Sequence, residues 1–223
     1  MVVSSDKFEE RRKALVEHLE ESGIIKISAI KKAMLKIKRE DFLPTEQKEN
    51  AYDDTPLPIP GGVTISAPHM HCIFLSSLKL KSGDKVLEVG FGSGILLAYI
   101  REIVGPKGKV VGIEFVPETY EFGKRNLERA GYKDIKLFLG DGSQGVPQEA
   151  PFDKIVSGAS APEIPKPWIE QLKPGGIIVT PVGPMYGEQD LIYVEKTKEG
   201  KIIKKNLGGV IFVQLFGKYG FRS

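Results

Sequence analysis

An α/β fold built on a doubly wound, mostly parallel sheet is predicted by three features of the 223-residue sequence. From residue 83 onward, short apolar runs alternate with longer helical patterns, the signature of a sheet covered by helices on both faces. One such run, Lys85-Val86-Leu87-Glu88-Val89, leads into glycines at alternate positions, Gly90, Gly92 and Gly94. Later runs end on acidic residues, first Glu114 and then Asp141 before Gly142.

The elements follow in order. Residues 4–22 read as a helix with Phe8, Leu15, Val16 and Leu19 on one face, and Gly23 supplies its stop. Residues 28–38 read as a second helix, with Ser28 in position to cap it. Its Lys31, Lys32, Lys36 and Lys38 form a solvated face rather than a nucleic-acid patch. Residues 39–70 are rich in Pro and Gly with little periodicity, an irregular stretch of the kind that often carries function. Strands are expected near 85–89, 109–113, 135–139, 153–157 and 176–180, and helices near 95–104, 117–130 and 165–172. Alternating runs near 189–197 and 209–215 predict antiparallel strands closing the sheet edge. Residues 1–60 are read as a helical and irregular extension packed on a core of residues 61–223.

Composition narrows the function classes. The 41% apolar content is ordinary, and no run approaches the roughly twenty apolar residues that span a bilayer. No signal-peptide pattern is found at the start, so a cytoplasmic protein with no membrane partner is expected. A net charge of +3 is too mild to point to nucleic acid. Cys72 is the one cysteine and forms no internal disulfide; it reads as a small buried residue rather than a nucleophile.

The glycine turn has the clearest chemistry. Glycine allows positive φ and lets a ligand approach the backbone, and strand, glycine turn and helix start form a nucleotide-type fingerprint. Glu114 lies twenty positions after Gly94, where a carboxylate accepts ribose hydroxyls. Asp141 at a further strand tip is placed for an adenine amino group. The turn departs from a pyrophosphate loop, because Ile95 occupies the position kept small for close helix packing. Glu88 just before the loop is awkward beside a pyrophosphate but suits a ligand ammonium. Both features favour S-adenosylmethionine, which has an ammonium and a sulfonium and no phosphate, over a dinucleotide.

Upstream lies Thr64-Ile65-Ser66-Ala67-Pro68-His69-Met70-His71. With Glu88-x-Gly90-x-Gly92-x-Gly94, Glu114 and Asp141-Gly142, this segment resembles the protein-L-isoaspartate O-methyltransferases, within the class I methyltransferases. The resemblance extends to Arg39-Glu40-Asp41-Phe42-Leu43-Pro44, Ala51-Tyr52-Asp53-Asp54, Gly158-Ala159-Ser160-Ala161-Pro162 and Leu172-Lys173-Pro174-Gly175-Gly176. The chain departs from the family at Gln214, where proline is usual, at Leu97, where a hydroxyl residue is common, and at Ser160, where alanine is common.

The resemblance implies a Rossmann-like methyltransferase fold and methyl transfer from S-adenosyl-L-methionine to isoaspartyl carboxylates in damaged peptides and proteins. It implies Ser66 as the active-site residue, with Ser66, Pro68, His69 and Val213 on the acceptor side. Thr64, Ile65, His71, Glu88, Gly90, Gly92, Ser93, Gly94, Glu114, Phe115, Asp141 and Gly142 fall to the cofactor. Ser66 also has a structural reading, as a turn or cap residue before Ala67-Pro68, and His69 suits stabilising the turn. No metal is expected, since the histidines lack ligand partners at the right spacing. A monomer is expected. The alternatives are a methyltransferase of this fold acting on RNA or a small metabolite, and a protein that binds the cofactor without turnover. A nucleophile-elbow hydrolase lacks its Gly-x-Ser-x-Gly, and the Asp/Asn-Pro-Pro-Tyr pattern of many amino-group methyltransferases is missing after the fourth strand.

Overall fold

The structure, a computed structural model, describes residues 5–222. Helix α1 (Ser5–Glu21) buries Leu15, Val16 and Leu19 on the expected face. Gly23 at φ +74° ends it, and the N–H of Ile24 reaches back to the Leu19 carbonyl at 2.9 Å. This left-handed turn after a helix is where glycine is favoured. Helix α2 (Ser28–Lys36) is capped at Ile27 with no side-chain bond, so Ser28 is its first residue and not its cap.

The stretch expected to be irregular is more ordered. It holds two 3-10 turns, Arg39–Phe42 and Thr45–Asn50, then an antiparallel hairpin of β1 (Leu57–Ile59) and β2 (Val63–Ile65). Helix α3 (Pro68–Leu78) follows, with Ala67 as its N-cap and Pro68 in the first turn. A proline is pre-set for that position and has no N–H to leave unpaired.

From there strand and helix alternate: β3 (Lys85–Val89), α4 (Ile95–Val104), β4 (Lys109–Glu114), α5 (Pro117–Arg129), β5 (Lys136–Leu139) and β6 (Phe152–Ser157). Then come α6 (Lys166–Gln171), β7 (Leu172–Val182), β8 (Gln189–Lys196) and β9 (Ile202–Val210). The seven-stranded sheet runs β5-β4-β3-β6-β7-β8-β9, parallel through β7 and antiparallel at β8 and β9. The alternation and the antiparallel edge are as the sequence predicts.

The last strand is displaced. It was expected over 209–215 but occupies Ile202–Val210, where almost every position is exposed. An edge strand with little to bury has no apolar alternation to reveal it. Residues after it turn inward instead, and the N–H of Ser160 donates to the Val213 carbonyl at 2.7 Å.

Two apolar layers sandwich the sheet. Val86 joins Leu19, Ile30, Phe42, Phe74 and Leu97 on one side, while Leu87 joins Phe152, Ile155 and Trp168 on the other. Neighbouring β3 residues thus divide between the layers, as strand periodicity requires. Leu19 and Ile30, on α1 and α2, share a layer with α4, and each fully buried side chain of that size stabilises by about 1.5–3 kcal/mol. Strand β3 pairs with β4 on one side and β6 on the other. The chain order reverses there, and ligands in such sheets bind beyond the carboxyl ends of the strands at that point.

Candidate active site

Beyond the end of β3, Gly90 and Gly92 take positive φ, +70° and +54°, and a Cβ on either would meet nothing closer than 3.6 Å. Packing therefore does not require these two glycines; their positive φ does. Gly94, by contrast, is needed for packing, since its Cβ would fall 2.8 Å from Leu127. The glycine triplet divides between backbone approach and helix packing, a division P-loops and dinucleotide turns also show.

Glu114 at the tip of β4 braces this loop. One carboxylate oxygen accepts from Phe115 and Val116 N–H groups at 2.8 and 3.1 Å, and the other from Gly92 N–H at 3.0 Å. A carboxylate has about four acceptor positions, so these three bonds leave one unfilled. Glu88, in β3, is buried, and its Oε2 has no hydrogen-bond partner among the described residues. Burial, then the charge of Glu114, pushes its carboxyl well above the usual range.

Three connected spaces lie here. An inner cavity of about 230 Å³ is walled by Gly90, Gly92, Glu114, Phe115, Gly142 and Phe216, among others. An outer, open cavity of about 660 Å³ includes Ser66, His69, Met70, Glu188 and Ile211. Thr64, Gly158, Val213 and Gln214 line both. A small chamber of about 30 Å³ adjoins them, bounded by Ile65, Ser66, His71, Glu88 and Ser93.

Most of the residues singled out in the sequence therefore converge. Ser66 faces both the outer cavity and the chamber. It is not the cap of α3, which is Ala67. His71 is buried and its Nδ1 is unpartnered among the described residues. Burial, then the charge of Arg39, then His69 hold this imidazole well below its ordinary pKa, so it is neutral at pH 7. His69 is tied by its N–H and Nδ1 to Asp54 Oδ1, both at 2.9 Å, which is the turn-stabilising role; it also borders the outer cavity.

Three residues are placed otherwise. Gly94, packed against Leu127, borders none of the three spaces. Pro68 is buried in α3 and does not border either cavity. Asp141 stands outside the inner cavity that Gly142 lines. Its oxygens accept from Ser143 N–H and hydroxyl, Gln144 Nε2 and Lys218 N–H at 2.6–3.0 Å, which fills its acceptor capacity.

Sequence reasoning passed over Arg39, whose guanidinium donates to the Ser66 carbonyl at 2.9 Å, and Phe216 on the inner wall. Gln214, noted as a departure, donates to the Met185 carbonyl at 2.6 Å and borders both cavities.

A family model described as protein-L-isoaspartate(D-aspartate) O-methyltransferase (PCMT) matches residues 10–220. The chain is 52% identical over 214 residues to a protein-L-isoaspartate O-methyltransferase of Pyrococcus horikoshii, covering 96% of each. It is 49% identical over 224 residues to one of Hyperthermus butylicus, across 97% of this chain and 92% of that one. A solved protein-L-isoaspartate O-methyltransferase superposes with TM-score 0.84 at 31% identity, over 94% of this chain and 67% of that one. A Plasmodium falciparum β-aspartate methyltransferase, in complex with S-adenosyl-L-homocysteine, gives 0.79 at 33% identity over 92% and 98%. By sequence across nearly its whole length, and by fold, the chain belongs to the protein-L-isoaspartate(D-aspartate) O-methyltransferase family.

Proposed function

We propose that the chain transfers a methyl group from S-adenosyl-L-methionine to the free carboxylate of isoaspartyl residues, with Ser66 orienting that carboxylate. One observation supports this most: an inner cavity with a carboxylate at its strand tip shares walls with an outer cavity containing Ser66. Displacement at carbon needs acceptor, methyl and sulfur in line, and adjoining cavities give donor and acceptor neighbouring places.

The residues fit the cofactor. Buried and unpartnered, Glu88 Oε2 suits an ammonium, and the open acceptor position of Glu114 suits one ribose hydroxyl. Gly90, Gly92 and Ser93 supply backbone beside it, with Thr64, Ile65 and His71 closing the chamber. Phe115 and Gly142 give the inner wall for the base. Asp141 we assign to holding the chain rather than to the base, because its acceptor positions are full. When bound, the cofactor supplies an electrophilic methyl group on a sulfonium.

The chain's own groups do the positioning. An isoaspartyl α-carboxyl has a reference pKa of about 3.3–3.7 and is already ionised at neutral pH, so no strong general base is required. His71 is buried and held in its neutral form, so it does not serve as an imidazolium acid. Correct placement of reactants is worth roughly 7–11 kcal/mol of barrier. A hydroxyl at Ser66 orients a carboxylate without the tight pairing that would blunt its nucleophilicity. Val213 and His69 border the outer cavity that we assign to the peptide.

A single copy of the chain supplies all these walls, so we propose a monomer, acting in the cytoplasm. No described helix is long and apolar enough to cross a membrane. The test is Ser66→Ala: turnover on an isoaspartyl peptide should fall by about tenfold to a hundredfold while cofactor affinity stays near the parent's. Equal losses in both would remove Ser66 from acceptor positioning. Label transferred to RNA but not to the peptide would favour the alternative reading.

A further inference from the structure

Arg39 opens the 3-10 turn Arg39–Phe42 and is 2% exposed. Its one hydrogen bond runs from Nη2 to the Ser66 carbonyl across 27 residues of sequence, while Nε and Nη1 are buried without partners among the described residues. The neighbouring acid does not neutralise it. Glu40 instead accepts from the Tyr52 hydroxyl and lies 3.9 Å from Arg12. Burial pulls the guanidinium down to about 10, partly offset by Tyr99, Tyr52 and Asp54.

An arginine buried with two unmade donors is a poor device for stability. Each buried unsatisfied donor is costly, and burial of the charge adds to that. An apolar side chain of similar volume would serve the fold better. Among the described residues, the one thing this cation holds is the main chain of Ser66. It also stands close enough to His71 to disfavour a second positive charge there.

We propose that Arg39 is a positioning residue for methyl transfer: it clamps the Ser66 carbonyl and places a fixed positive charge behind the point where the acceptor carboxylate docks. The charged and titratable groups around it are His71 from α3, Tyr99 from α4, and Tyr52 and Asp54 from the segment before β1. None supplies a second fixed cation. This inference rests on the proposed isoaspartyl activity, and the parent enzyme is the control that separates the two. If the parent forms no S-adenosylhomocysteine with an isoaspartyl peptide, the activity is wrong.

The experiment measures S-adenosylhomocysteine formation and cofactor affinity for Arg39→Met and Arg39→Lys. Arg39→Met should lose about tenfold to a hundredfold in kcat, with cofactor Kd close to the parent's. Arg39→Lys should keep most of kcat near pH 7 and lose it on the alkaline side, because a buried ammonium gives up its proton earlier than a guanidinium. The parent's loss should come at higher pH than that of Arg39→Lys while both proteins remain folded by circular dichroism. Parental kcat in folded Arg39→Met would overturn the proposal. So would a pH-independent kcat in Arg39→Lys, which decides the matter even if Arg39→Met does not fold.

Discussion

The backbone N–H of Lys218 donates to Asp141 Oδ2 at 2.9 Å across 77 residues of sequence. Beside it, Tyr219 N–H donates to the Ser143 hydroxyl at 2.9 Å, and that hydroxyl donates to Asp141 Oδ1 at 2.6 Å. Gly217 makes the approach feasible, since a Cβ there would fall 1.9 Å from Asp141 Oδ1. The fastening sits directly after Val213–Phe216, which forms a wall of the inner cavity.

Loosening it should be felt in the tail first. Asp141→Asn puts an amide N–H₂ among four donors, and we expect a loss of about 1–3 kcal/mol and weaker cofactor binding. Hydrogen exchange at the Lys218 and Tyr219 amides reads the effect directly, and unchanged exchange would contradict it. The pH window follows from sign. Burial raises the Asp141 carboxyl, but the Lys218 amide, Ser143 and Gln144 together outweigh it and hold it below the ordinary 3.8. Its contribution is therefore full above that value and lost as pH falls through the lower folded value.

Glu88 behaves in the opposite sense. A carboxyl raised by burial and by Glu114 favours the protonated folded state. Without cofactor, its effect on stability is absent below the usual glutamate range and grows more unfavourable as pH rises towards the folded value. Glu88→Gln should therefore raise the neutral-pH melting temperature while weakening cofactor binding. Thermal melts across pH and calorimetric titration check the two halves. A variant that binds as tightly as the parent would remove Glu88 from the ammonium role.

Ser160 offers a test with no catalytic content. Its hydroxyl is fully buried and unpartnered among the described residues. Ser160→Ala should stabilise by about 1 kcal/mol by removing an unsatisfied polar group. Its backbone bonds to Val213 and Leu215 would be retained. A fall in chemical-denaturation stability would show that the hydroxyl has a partner after all.

The central sheet was legible because buried parallel strands are short apolar runs, and β3, β4 and β6 conform. The glycine turn and its two carboxylates follow from that register. Less legible was β9, whose Lys204, Lys205, Asn206, Gly208 and Gly209 bury nothing, while the apolar 210–215 run is spent on cavity walls. The β1–β2 hairpin is three residues a side, too short to show a period. Arg39 and Asp141 were hard to place for a different reason. Their partners lie 27 and 77 residues away, and no local pattern marks such a contact.

The most direct test pairs two peptides that differ only in one linkage, isoaspartyl in one and ordinary aspartyl in the other. Each is incubated with labelled S-adenosyl-L-methionine and the parent protein. The account predicts base-labile label on the isoaspartyl peptide alone, with an equal amount of S-adenosylhomocysteine. Equal labelling of both peptides, or none on either with cofactor bound, would contradict it.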